Sequence, residues 1–211
     1  MRTDKLIDIL STNVEPVKPG LLEKTLAWAV VVGGATAFCL MLATVGARRE
    51  ILNGSELGFF ALKIGWTLSL ILIGYLLLTK LIRPVQTGRK LVAVISFSFL
   101  AVAVAGAVAL IGSADRRIII LGTQWVTCAL CIPLFATVPF ILLIWALRKG
   151  APTNLKRTGA IAGLVAGALG AMAYAFHCPD DFLPFLAIWY GGLIALCAFI
   201  GAKFGPRLLR W

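Results

Sequence analysis

The sequence predicts an all-α fold: a polytopic membrane bundle of six transmembrane helices with both termini cytoplasmic. Three observations predict it. The 211 residues are 60% hydrophobic and only 14% charged, whereas about 25% charge is usual in a soluble domain. The apolar residues fall into six runs, each near the roughly 20 residues needed to cross a bilayer. Alternating apolar and polar positions suited to a membrane barrel are absent, so helices must satisfy the backbone in lipid.

The runs place helices near Leu26–Val45, Gly58–Leu78, Leu91–Ile111, Gln124–Leu147, Gly159–Phe176 and Phe182–Ala202. Three segments follow: a cytoplasmic stretch over 1–24, a six-helix domain over 25–204 and a short tail over 205–211. Residues 1–24 are polar and lack the apolar core of a signal peptide. Within them Leu6, Ile7, Ile9, Leu10 and Val14 share one side of a short helix, ended by Pro16 and Pro19-Gly20. So short a helix is marginal alone in water. It suits either a partner or the inner leaflet.

The net charge of +11 is topological. With the N-terminus inside, fifteen of the twenty basic residues fall in cytoplasmic segments and four, Arg48, Arg49, Arg116 and Arg117, in outer loops. That bias follows the positive-inside rule and makes direct nucleic-acid binding unnecessary. The remaining one, Lys63, lies in the second run, where its long stem would let it snorkel outward. No Asp or Glu falls within a span, which argues against a proton- or cation-coupled transporter. The loops are too short for a soluble domain.

Two spans carry special patterns. Gly159, Gly163 and Gly167 repeat at spacing four and form a flat stripe for close helix contact, inside the bundle or in a homodimer. Pro133 and Pro139 fall within the fourth span and would kink or loosen it.

The chemistry gathers in one outer turn, His177-Cys178-Pro179-Asp180-Asp181, which holds the only histidine. Cys128 lies about 6 Å below the outer end of the fourth span at the helical rise, level with Cys178. The pair is open to a sensing role, a static disulfide or mere packing. Thiolate and imidazole suit soft metals, so Cys128, Cys178 and His177 form a tentative metal set, with Asp180 and Asp181 tuning it. No cofactor is required; a heavy-metal ion would bind transiently. Alternatively, the two carboxylates cap the sixth helix. Cys39 and Cys197 read as packing residues. Cys128-Ala129-Leu130-Cys131 also permits a membrane thiol oxidoreductase passing electrons to a quinone, but this C-x-x-C sits in an apolar helical run. A structural or small-transport membrane protein is a third alternative.

Several of these stretches together resemble a known family. Trp145-Ala146-Leu147-Arg148-Lys149-Gly150-Ala151-Pro152-Thr153, the glycine stripe, the His177–Asp181 turn, Trp189-Tyr190 and Leu208-Leu209-Arg210-Trp211 look like NrsF-type membrane anti-sigma factors. Trp125-x-x-Cys128 and Met1-x-Thr3-Asp4-x-Leu6-Ile7 fit as well. The resemblance implies a six-helix inner-membrane protein, not an enzyme, that sequesters an extracytoplasmic-function sigma factor. It also implies that Cys128 and Cys178 matter for holding or releasing inhibition; Cys131 is outside the pattern. The N-terminal helix, through Leu6, Ile7, Ile9 and Leu10, is then the expected sigma-factor contact.

Overall fold

A computed structural model describes residues 20–48, 57–82, 88–112 and 115–210. The proposed N-terminal helix with Leu6, Ile7, Ile9 and Leu10 lies outside them. The described residues form helices α1 (Leu21–Thr44), α2 (Leu57–Leu81), α3 (Arg89–Ile111), α4 (Arg116–Leu121), α5 (Trp125–Arg148), α6 (Leu155–Ala175), α7 (Leu183–Phe185) and α8 (Gly192–Leu208). A π-helical turn, Leu186–Gly191, joins α7 to α8. Six helical units are long and apolar enough to cross a membrane, with α4–α5 and α7–α8 each counting as one.

The six expected runs are all present. Differences lie at their ends, where hydropathy is blind to local hydrogen bonds. α6 begins four residues earlier than expected because Asn154 caps it, accepting from the Arg157 amide at 3.0 Å. Its hydroxyl-bearing neighbour Thr158 bonds back to the Asn154 carbonyl. α8 runs on to Leu208 with Pro206 inside it. The short helix α4 occupies what the sequence reads as outer loop. α5 continues through both Pro133 and Pro139.

α6 is the centre of the bundle, packed by α1, α2, α5 and α8. Small residues make this possible, since a helix without bulky side chains lets four neighbours approach. The glycine stripe meets α8: a Cβ at Gly159 would strike the Gly201 carbonyl, and one at Gly163 the Cys197 carbonyl. On the other side a Cβ at Gly170 would sit 2.6 Å from the Ile132 carbonyl of α5. The stripe is therefore covered within the chain. Of the two uses expected for Gly159, Gly163 and Gly167, contact inside the bundle is the one these helices make. A second close approach sets α1 on α5, where a Cβ at Gly33 would lie 3.0 Å from Pro139 Cα. By contrast, α3 is peripheral, with only Ile95 and Gly106 buried.

Cys197 is a packing residue as expected, at the α6–α8 contact, but Cys39 is exposed on the bundle surface. Replacing Gly163 by Leu should lower the thermal stability of the detergent-solubilised protein by about 2 kcal/mol or more, because backbone cannot yield to the new side chain. The same change at Gly65, which has open space around it, should be close to neutral. Paired melting curves test this.

Candidate functional site

The site is built where five segments meet at one end of the bundle: the ends of α1 and α6, the outer part of α2, the start of α5, and the turn 177–182. Each residue of the turn has a definite task, set by hydrogen bonds that close the ends of helices. His177 and Cys178 both donate their amides to the Tyr174 carbonyl, at 2.9 and 3.1 Å, so the turn wraps back over the last turn of α6. The Arg48 amide donates to the Phe176 carbonyl at 3.0 Å and ties in the segment after α1. The Phe176 ring takes edge-to-face contacts from Phe38 and Phe60, each at 5.2 Å.

Asp180 accepts from the Thr123 amide at 2.9 Å, the Thr123 hydroxyl at 2.9 Å and the Gln124 amide at 3.0 Å. These groups sit at the start of α5, where amides lack intrahelical acceptors and a carboxylate is favoured by the helix dipole. The carboxylate thus caps the fourth span across the bundle; the expected cap on the sixth helix is corrected. Gly122, at φ +59, makes room for it: a Cβ there would lie 2.6 Å from Asp180 Oδ2.

Asp181 holds two cations. Arg48 Nη1 lies 2.9 Å from Oδ2, and Lys63 Nζ lies 2.5 Å from Oδ1. Lys63 also donates to the Asp180 carbonyl at 2.7 Å. It is 1% exposed, so the expectation that it snorkels outward is corrected: the side chain turns inward to a carboxylate. An unpaired charge at this depth would cost several kcal/mol, and a carboxylate plus a carbonyl offset that. Arg48 and Lys63 are matched in charge by Asp180 and Asp181 within this cluster.

Below this polar layer lie the thiols. Cys128, four residues into α5, and Cys178 are both fully buried and free. Each is close enough to the other, to Lys63 and to Asp180 to feel their charges. Burial pushes the Cys178 thiol up from its ordinary range, while the Lys63 ammonium pulls it down. Cys131, one turn deeper, is only half-buried. Two phenols complete the cluster: Tyr174 from α6 and Tyr190 from the π-helical turn, rings 6.3 Å apart. The Tyr174 hydroxyl is buried without a hydrogen-bond partner, and the Tyr190 hydroxyl is directed at the Cys178 sulfur. Lys63 Nζ stands 5.6 Å from the Tyr190 ring centroid.

Sequence reasoning pairs Cys128 with Cys178, and the structure buries both. It separates His177 from that pair. The ring nitrogens face the Gly46 carbonyl at 2.9 Å and Gln124 Oε1 at 3.3 Å, so the imidazole serves as a clasp between α1 and α5. Among the described residues no three His, Cys, Asp or Glu side chains gather into a metal cluster. The tentative set of Cys128, Cys178 and His177 is corrected accordingly: its third member is spent on hydrogen bonds. Lys63, Tyr174 and Tyr190 were missed as site residues. An ionisable residue within an apolar run was the available signal for Lys63; Tyr190 stood out only within the Trp189-Tyr190 stretch, and Tyr174 in its apolar span carries no signal. Trp189, beside Tyr190, donates its indole N–H to the Ile120 carbonyl at 2.9 Å and packs on Trp125, which fixes the π turn to α4. π turns of this kind recur at functional sites.

Comparison with known proteins identifies the chain's relatives. The family model described as "Negative regulator of sigma F" matches residues 10–211. The chain belongs to this NrsF family. It is 36% identical over 219 residues to the anti-sigma-F factor NrsF of Caulobacter vibrioides. It is 29% identical over 213 residues to the probable anti-sigma-F factor NrsF of Azospira oryzae. Both alignments cover all of each chain. No solved structure matches. The role of the NrsF family is regulatory and not enzymatic, which removes the thiol oxidoreductase alternative.

Replacing Asp180 by Asn should destabilise the protein by about 1 kcal/mol, since the amide keeps part of the capping geometry and loses the charge. Asp180→Ala should cost about 2 kcal/mol or more, because the Thr123 and Gln124 amides lose their acceptor. Chemical denaturation in a fixed detergent compares the two.

Proposed function

We propose that the chain is an inner-membrane anti-sigma factor that holds an extracytoplasmic-function sigma factor inactive and releases it when Cys128 and Cys178 are oxidised. The observation that carries the signalling part is the burial of two free thiols, Cys128 on α5 and Cys178 in the turn after α6, at the end of the bundle away from most of the basic residues. The family assignment supports the anti-sigma role, and the basic bias supports cytoplasmic termini. The thiol end then faces an oxidising compartment, where disulfides persist.

The chemistry balances simply. A two-electron oxidant such as a peroxide accepts two electrons; the two thiols lose their protons and form one S–S bond. The bond draws the start of α5 toward the end of α6, against the Asp180 cap. α6 touches four other helices, so its displacement reaches the far end of the bundle. Such a signal switches the protein only if it favours one of two arrangements. Leu6, Ile7, Ile9 and Leu10 form the docking face for the sigma factor, as an apolar helix in a groove.

Two measurements test this. In membranes co-expressing the sigma factor, deletion of residues 2–15 should abolish its co-purification; retention would sink the docking site. Peroxide should release the sigma factor from the native protein, and Cys128→Ser or Cys178→Ser should each cut that release at least about tenfold, a difference of 1.4 kcal/mol in the coupling. Unchanged release in both variants would remove the thiols from the mechanism.

A further inference from the structure

Lys63 is the buried ionisable group that the anti-sigma reading leaves unused. A chain seeking only a stable span would not place an ammonium in an apolar helix, since a well-packed apolar residue is often as stabilising as a buried ion pair. Its surroundings point to a use. Nζ is fixed by Asp181 Oδ1 at 2.5 Å and the Asp180 carbonyl at 2.7 Å, and this fixed charge stands beside both buried thiols.

We infer that Lys63 is a positioning residue of the thiol site: its locked ammonium is the counter-charge for a thiolate at Cys178, and so sets how readily the Cys128–Cys178 pair reacts. The inference rests on the reading of those two cysteines as the sensing pair. A second observation supports it independently. Tyr174 buries a hydroxyl that has no partner, and the Tyr190 hydroxyl is directed at the Cys178 sulfur. A thiolate in this pocket supplies the missing acceptor. Ionised, the Cys178 sulfur is a stronger acceptor for these phenols and has the Lys63 ammonium beside it.

The groups facing the pocket are few. From α5 come Cys128 and Cys131, from α6 Tyr174, and from the π turn Tyr190. The turn contributes Asp180 and Asp181, Arg48 pairs with Asp181, and His177 is turned away to Gly46 and Gln124. Asp180 opposes a thiolate but is occupied by Thr123 and Gln124. Asp181 compensates Lys63 and so limits its pull. Two substitutions therefore act in opposite directions on one sulfur. Lys63→Met removes the cation and disfavours the thiolate. Asp181→Asn frees the cation and favours it.

The experiment is alkylation of the full chain in membranes by iodoacetamide across a pH series, with Cys178 modification read by mass spectrometry. Only the thiolate reacts. In Lys63→Met the pH midpoint should rise by about one unit, about tenfold slower reaction below it. In Asp181→Asn it should fall, and in Lys63→Arg it should stay near that of the native protein. Cys197, buried at the α6–α8 contact, reports any general opening and should keep its rate throughout. A midpoint unmoved by Lys63→Met, or moved the same way by Asp181→Asn, overturns the inference. Faster Cys197 modification in either variant overturns it too, by making the ion pair a fold determinant only. No sigma factor enters the assay, so its result stands apart from success or failure of oxidant-driven release.

Discussion

The backbone contact between α6 and α8 is the constraint on which the rest of the molecule depends. At Gly159, Gly163 and Gly201 the two helices approach so closely that a single Cβ would meet a carbonyl. In lipid no hydrophobic force drives helices together, so dispersion across such a flat contact supplies much of the association. Because it involves backbone, the contact cannot slide without a clash. α6 and α8 behave as one rigid pair. The turn 177–182 that joins this pair through α7 inherits its position, and with it the placement of Cys178, Asp180 and Asp181.

That rigidity explains how a turn of six residues organises an entire end of the bundle. Asp180 reaches out to cap α5, Asp181 gathers Arg48 and Lys63, and His177 clasps Gly46 to Gln124. Three of the turn's polar side chains thus tie three other segments to the α6–α8 pair. None of these contacts is strong alone. Together they enclose two thiols, two phenols and an ammonium from which water is excluded. Charges inside such an enclosure act more strongly than in water, which is why one lysine can govern a cysteine pair.

The same arrangement accounts for a division of labour along the chain. Chemistry is confined to one end of the bundle, while the basic segments crowd the other. Among the described residues the polar bonds in the apolar middle are short helix-internal ones such as Thr67 to the Lys63 carbonyl, so helix packing is the route by which the two ends are connected. α6 is the one helix in contact with α1, α2, α5 and α8. A shift at its thiol end is therefore felt by every neighbour, including α1, which leads back to the N-terminal segment.

The sequence by itself determined the number and order of the spans, because a backbone in lipid has to bond within its own helix and the required apolar length is countable. It also pointed to Cys128 and Cys178 near the same end of the bundle, because depth in a helix follows from rise per residue. It picked out the glycine stripe but left its partner open. Only the tertiary structure decided that partner, since rotation of a helix about its axis leaves hydropathy unchanged. For the same reason Lys63 read as a snorkelling residue and proved to face inward, Asp180 read as a cap for its own helix and proved to cap another, and His177 read as a ligand and proved to be a clasp. In each case the residue type was legible and the partner was not. A polar group takes whichever unsatisfied donor or acceptor the packing brings nearest, and that is settled by residues far away in the chain.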